Sequence, residues 1–232
     1  MKTIDLNVDL GEGFPWDAEL LPLVSSVCVA CGGHAGDART MDATLRGAKL
    51  RGVTAGAHPG YLDRANFGRI DREATAEEVR GLILEQWDAL QAVASSIGIP
   101  LKFLKPHGAL YNQARLSEPH ALGIVEAAAS LGMPVLGISG GLVESHAARR
   151  GVRFVSEGFA DRRYRPDGSL VPRSEAGAVL DDPAEAAEQV LTLTERGIET
   201  LCIHGDHPEA VKLALAIRVT LQRSGIEVRS AF

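Results

Sequence analysis

Residues 40–58 read TMDATLRGAKLRGVTAGAH. Thr40–Arg51 carries its apolar residues at i, i+3, i+4 spacing, the period of a helix with one buried face. Gly52 then stands where a left-handed C-cap belongs. Val53–Ala57 is a short run of small and β-branched residues that delivers His58 at its end. The same unit of helix, glycine and strand recurs along the chain. Thr75–Ile97 precedes Gly98, Glu118–Leu131 precedes Gly132, and Gly141–Arg150 precedes Gly151. Pro183–Arg196 precedes Gly197, and Pro208–Ser224 precedes Gly225. Start signals agree: Thr75 with Glu78 spells a capping box, and Asp182-Pro183 sets an N-cap before an N1 proline.

Strand-like runs fall at Thr3–Leu10, Ser26–Ala30, Val53–Ala57, Leu101–Lys105, Val135–Ile138, Val152–Ser156 and Thr200–His204, with a weaker one at Ile226–Arg229. Most lack alternation, which suits strands covered on both faces. Repeated βα units predict parallel strands with right-handed crossovers. Seven or eight of them fit a closed, TIM-like parallel β/α barrel better than an open sheet. With no linker, low-complexity stretch or repeat dividing it, the chain of 232 residues is expected to be a single barrel domain spanning residues 1–232. One irregular insertion, Phe159–Asp182, is rich in Arg, Asp and Gly and follows the sixth strand. A connection of that length on a barrel rim predicts a lid or a substrate contact.

Composition narrows the function classes. A net charge of −6 argues against nucleic acid as the main partner. The longest apolar stretch, residues 20–31, is too short and too interrupted to span a bilayer, and no signal-peptide pattern opens the chain, so no membrane role and a cytoplasmic location are expected. Cys28-Val29-Ala30-Cys31 is a C-x-x-C inside a β-branched run, where residues three apart point to opposite faces; with Cys202 also in a strand, buried reduced thiols are expected.

Four of the seven histidines follow apolar runs: His34, His58, His107 and His204. In a parallel barrel these positions open onto one rim, where such folds build active sites. Asp9 and Glu12 follow the first strand, and period 2 turns Asn7 and Asp9 inward together. A buried Asp there requires a cation or a histidine. Asp37 lies beside the small-residue turn Cys31–Gly36, Asp206 beside His204, and Lys105 before Pro106-His107. Lys105 would neutralise a developing negative charge or simply pair with Asp9. Of the rim arginines Arg64, Arg69, Arg162, Arg163 and Arg173, two are expected to hold a carboxylate or phosphate. Gly137-Ile138-Ser139-Gly140-Gly141 also matches a nucleophile elbow, followed in triad order by Asp161 and His204, but that reading leaves His34, His58, His107 and Lys105 unused.

NVDLGEG (7–13), ACGGHAGDARTM (30–41), GAHPGY with FGR, KPHGALYN (105–112), EGFADRRY (157–164) with DG and LV, and HGDHP (204–208) occur in this order, and together the chain resembles the LamB/YcsF family from Asp5 to near its C-terminus. The resemblance implies a seven-stranded barrel related to glycoside hydrolase and deacetylase barrels. It implies ATP-dependent opening of 5-oxo-L-proline to L-glutamate, as the A component of a prokaryotic 5-oxoprolinase with 5-oxoprolinase subunits B and C. Matched positions are Asp9, Glu12, His34, Asp37, His58, Lys105, His107, Asp161, Arg162 and Asp206. Three residues depart from the pattern: Val8 for Cys, Gly33 for a bulky Phe, which would widen the pocket, and His207 for Asn.

For that reaction ATP would phosphorylate the amide oxygen and make a leaving group of it. Positive charge near the phosphates (Lys105, an arginine, Mg²⁺) and a base for water are then needed. The expected catalytic group is Asp9, His34, His58, His107 and Lys105. Glu12, Asp37, Arg69, Asp161, Arg162, His204 and Asp206 would bind substrate or phosphate. No G-x-x-x-x-G-K-[ST] loop marks where ATP sits. The alternatives are a metal-dependent hydrolase or deacetylase of carbohydrate-like substrates, with another divalent metal on Asp9, His34 and His58, and a non-catalytic lactam-binding protein. A homo-oligomer stays open.

Overall fold

The computed structural model describes residues 2–232. Its strands are β1 (Lys2–Leu10), β2 (Ser26–Ala30), β3 (Thr54–His58), β4 (Leu101–Leu104), β5 (Val135–Gly137), β6 (Phe154–Phe159), β7 (Thr200–His204) and β8 (Ile226–Val228). The first seven pair in parallel in chain order, and β1 pairs with both β2 and β7, which closes a seven-stranded barrel. The eighth strand lies outside this ring. It pairs only with Lys2–Ile4, the part of β1 that precedes the β1–β7 register starting at Asp5↔Thr200.

The long helices form as the local signals require. Thr75 and Glu78 exchange both capping-box hydrogen bonds, and Asp182 accepts from the Ala184 N–H ahead of Pro183–Glu195. Gly52 takes the left-handed conformation at φ 67°, and its N–H returns to the Ala48 and Lys49 carbonyls before β3 begins. At Gly197 and Gly225 the left-handed residue stands one place beyond the helix cap. Two short helices, Asp17–Leu20 and Gly108–Gln113, have no counterpart in the sequence pattern because neither is long enough to show a period.

The sixth strand is displaced from Val152–Ser156 to Phe154–Phe159. Val152 is consumed by the preceding helix ending, where its N–H bonds the Ala147 carbonyl. The shift carries Glu157 and Phe159 into the barrel wall. The insertion that follows folds over the rim through two antiparallel bridges, Arg162↔Val179 and Tyr164↔Leu170.

The barrel interior is divided. One side is apolar, where Cys28, Phe103, Leu136 and Val155 pack with Ala231 and Phe232 of the C-terminus. Phe103 stacks on Phe232 at 4.1 Å, and Gly56 leaves the room that its ring occupies. The other side is polar. Asp5 accepts from Ser26 and Thr200, and the Asn7 amide donates to Glu157 and Thr200. These groups are fully buried, so each hydrogen bond offsets a desolvation cost. Above them, at the C-terminal strand ends, the candidate site begins.

Candidate active site

Asp9 is the last inward residue of β1 and Lys105 follows β4. The Lys105 ammonium lies 2.8 Å from Asp9 Oδ1 and 3.0 Å from Glu157 Oε1, and also reaches Asn7 and the Cys202 sulfur. Burial opposes charge on both partners. The anions around Lys105 nevertheless hold it protonated, and His58 with Lys105 keeps the Asp9 carboxyl well below its ordinary range. Lys105 therefore lines the cavity with its donors already committed. It is not the free phosphate-binding cation that the sequence allows, but the group that holds Asp9 ionised and pairs with Glu157.

Three histidines pack beside this pair. His58 Nδ1 meets the Lys105 carbonyl at 2.8 Å, and His107 Nε2 meets the Phe67 carbonyl at 2.9 Å. Their remaining nitrogens face each other at 2.9 Å. His34 stacks on His107 with ring centroids 3.5 Å apart, and its Nε2 lies 3.1 Å from Glu12 Oε1. Glycines make this crowding possible: a Cβ at Gly60 would come within 2.8 Å of His34 Nδ1, and one at Gly68 within 2.7 Å of its Cβ. Burial pushes His34 and His107 well below the ordinary imidazole range and pushes Glu12 well above the carboxylate range.

His204, at the end of β7, is held separately. Its Nδ1–H donates to Asp161 at 2.9 Å, its backbone N–H donates to the same carboxylate at 2.9 Å, and its ring stacks on Phe159. Burial alone would raise Asp161, but His204 and these hydrogen bonds bring it down to about 2. An aspartate so placed fixes the tautomer and leaves Nε2 as a proton acceptor. Asp9 and Cys202 are the groups beside it.

The floor of a cavity of about 670 Å³ includes Asp9, His58, Lys105, His107 and His204, while Arg69, Arg115, Arg162 and Arg173 stand around its walls. Arg69 and Arg173 both pair with Asp206, which burial would raise but Arg173, His204 and Arg69 hold down. Arg162 is anchored on the Val171 and Ala178 carbonyls, and burial with Arg173 beside it lowers it to about 10, still cationic at neutral pH. Chemically the arrangement offers proton transfer below and anion binding above.

Several expectations change. Asp37 is an exposed helix N-cap, accepting from the Arg39 and Thr40 N–H groups, and does not face the cavity. Three of the five rim arginines line the cavity instead of two; Arg64 bonds the Gly36 carbonyl and Arg163 pairs with Glu185. Gly33 does not widen the pocket, because the Gln86 amide and the Gly60 carbonyl fill the space its side chain would take. Of the group Asp9, His34 and His58, Asp9 Oδ2 lies 3.4 Å from His58 Nε2 while its Oδ1 pairs with Lys105; Glu12 and His107 gather more closely with His34 and His58. Ser139 is exposed and hydrogen-bonds no imidazole among the described residues, so the elbow reading fails. Cys28, Cys31 and Cys202 are free and buried; burial pushes the first and last well up and Cys31 to about 12.

Sequence reading misses Glu157, Arg115, Tyr111 and Phe67. Glu157 is visible in EGFADRRY, but a strand set two or three residues too early hides its inward phase. Phe67, at φ 55°, is a left-handed non-glycine residue whose carbonyl orients His107, and nothing local announces that.

Comparison with known proteins adds to this geometry. The profile described as LamB/YcsF family matches residues 4–232. A relative from Mycobacterium avium (strain 104), named as the A component of 5-oxoprolinase, is 45% identical, with 99% of each chain covered. The crystal structure of a lactam utilization protein from Thermus thermophilus superposes with a TM-score of 0.92 at 38% identity, covering all of both chains. A polysaccharide deacetylase from Bacillus cereus shares the fold alone, at a TM-score of 0.57 and 17% identity over 100% of this chain and 93% of that one. Among the described residues no helix is long and apolar enough to cross a membrane.

Proposed function

The chain belongs to the LamB/YcsF family, and from that premise we propose that it is the A component of a 5-oxoprolinase, opening 5-oxo-L-proline to L-glutamate with consumption of ATP in a complex with subunits B and C. The observation that carries this reading is the Asp161–His204 pair set beside the Asp9–Lys105 pair at the base of an arginine-lined cavity.

A lactam carbonyl is stabilised by resonance and reacts slowly with water. Transfer of the γ-phosphoryl group to its oxygen, releasing ADP, makes the ring carbon electrophilic. Water then adds to that carbon, giving up a proton to His204 Nε2. The ring C–N bond breaks as the nitrogen takes a proton, leaving an acyl phosphate, which a second water converts to glutamate and phosphate. Arg69, Arg162 and Arg173 suit the carboxylate of the lactam and the oxygens of the phosphoryl group, where fixed positive charge lowers the barrier. ATP would enter as its Mg²⁺ complex. Lys105 acts here by holding Asp9 ionised beside His58 and His204.

The test is reconstitution of the purified chain with subunits B and C of the same organism, following glutamate, ADP and phosphate. Equimolar formation of all three, dependent on this chain, supports the proposal. Glutamate formed without ATP, or at the same rate when this chain is omitted, refutes it.

A further inference from the structure

The cluster behind the cavity floor has a proton deficit. His58 Nδ1 and His107 Nε2 each face a backbone carbonyl, which can only accept, so both rings place their single N–H outward. The nitrogens left over, His58 Nε2 and His107 Nδ1, lie 2.9 Å apart, with Asp9 Oδ2 3.4 Å from the former. With both rings neutral they are two facing lone pairs, and only a buried imidazolium would put a proton between them. Glu12 Oε1 lies 3.6 Å from that same His107 nitrogen and 3.1 Å from His34 Nε2. All four donor atoms fall within 4.8 Å of one another. Two ligands on a tetrahedral zinc with bonds of the usual length are about 3.3 Å apart, close to the separations found here. An imidazole whose far N–H is fixed on a carbonyl is also the usual state of a metal-bound histidine.

We infer that Glu12, His34, His58 and His107 form a binding site for one divalent transition-metal ion of the zinc class. His34 can meet Glu12 with its own Nε2–H, but the facing His58 and His107 nitrogens can share a proton only as a buried imidazolium; one divalent ion would instead use all four donors. The parallel rings of His34 and His107 would fan apart to turn their lone pairs to it. Three imidazoles and one carboxylate are a borderline donor set suited to zinc, cobalt and their neighbours and unsuited to Mg²⁺. The other close trio, Asp9, Cys202 and His204, is ruled out as a cation site by the Lys105 ammonium, 2.8 Å from Asp9 and 3.0 Å from the Cys202 sulfur.

The inference stands apart from the lactam reading, because it is measured without substrate. The purified full chain is stripped with a chelator, exposed to excess Zn²⁺ or Co²⁺, desalted and analysed for metal. One equivalent is expected, with visible cobalt absorption of a low-coordinate site and a rise in Tm that the chelator reverses. Glu12→Gln and His34→Ala should each weaken affinity by more than about tenfold, a loss that removal of even an outer partner can cause, whereas His204→Gln keeps the stoichiometry. Circular dichroism checks folding of each variant. Absence of a stoichiometric ion on the folded wild-type chain overturns the inference, as does binding that survives both Glu12→Gln and His34→Ala.

Discussion

Replacing Asp161 by asparagine tests the proposed base most directly. Asp161 is 1% exposed and receives both the ring N–H and the backbone N–H of His204. Burial opposes its charge, yet His204, these hydrogen bonds and Arg173 lower it from 3.8 to about 2. That difference is worth about 2 kcal/mol of folding stability. The folded-state value lies below the unfolded one, so the contribution is complete above the unfolded value and disappears as pH falls through about 2. In Asp161→Asn the term is absent at every pH. Urea unfolding should show the wild type losing about 2 kcal/mol more than the variant between about pH 5 and about pH 2. In the reconstituted glutamate assay kcat should fall about a thousandfold, because the amide no longer holds the His204 tautomer. The double variant with His204→Gln should cost little more than the worse single one, as residues acting as a unit do. A kcat within a few-fold of wild type, or losses that simply multiply, would refute the assignment of this pair as the base.

Three further substitutions probe the frame around it. Lys105→Met leaves Asp9 and Glu157 buried without their cation and should cost about 3–5 kcal/mol in chemical denaturation, a loss partly recovered by adding Glu157→Gln. Asp37→Ala removes a helix cap, so it should lower Tm by a few degrees and leave kcat/KM unchanged in the same assay. Gly205→Ala places a Cβ against the Asp9 carbonyl; it should destabilise by about 1–3 kcal/mol and reduce kcat as Asp9 is displaced, read by Tm and turnover together.

Where the amino-acid order alone was decisive, the interactions are local. Helix period, the Thr75–Glu78 box, the Asp182-Pro183 start and the glycines after each helix act over a few residues. They are therefore legible wherever they occur. Their regular recurrence predicts parallel βα units, and hence that His34, His58, Lys105, His107 and His204 reach one rim. Partnership could not be read in this way. Lys105 meets Asp9 across 96 residues, Asn7 meets Thr200 across 193, and His107 meets His58 across 49. Ring closure through β1 and β7 decides the first two, the pairing of β3 with β4 decides the third, and only the closure separates seven strands from eight. The shifted sixth strand, Phe154–Phe159, brings Glu157 into the wall. Asp37 illustrates the limit: its neighbours in the chain are those of both a site residue and a helix cap, and only its exposed position in three dimensions distinguishes them. Short-range propensity sets where each ionisable group stands along its strand; which charge it faces is a matter of distances that the linear order does not encode.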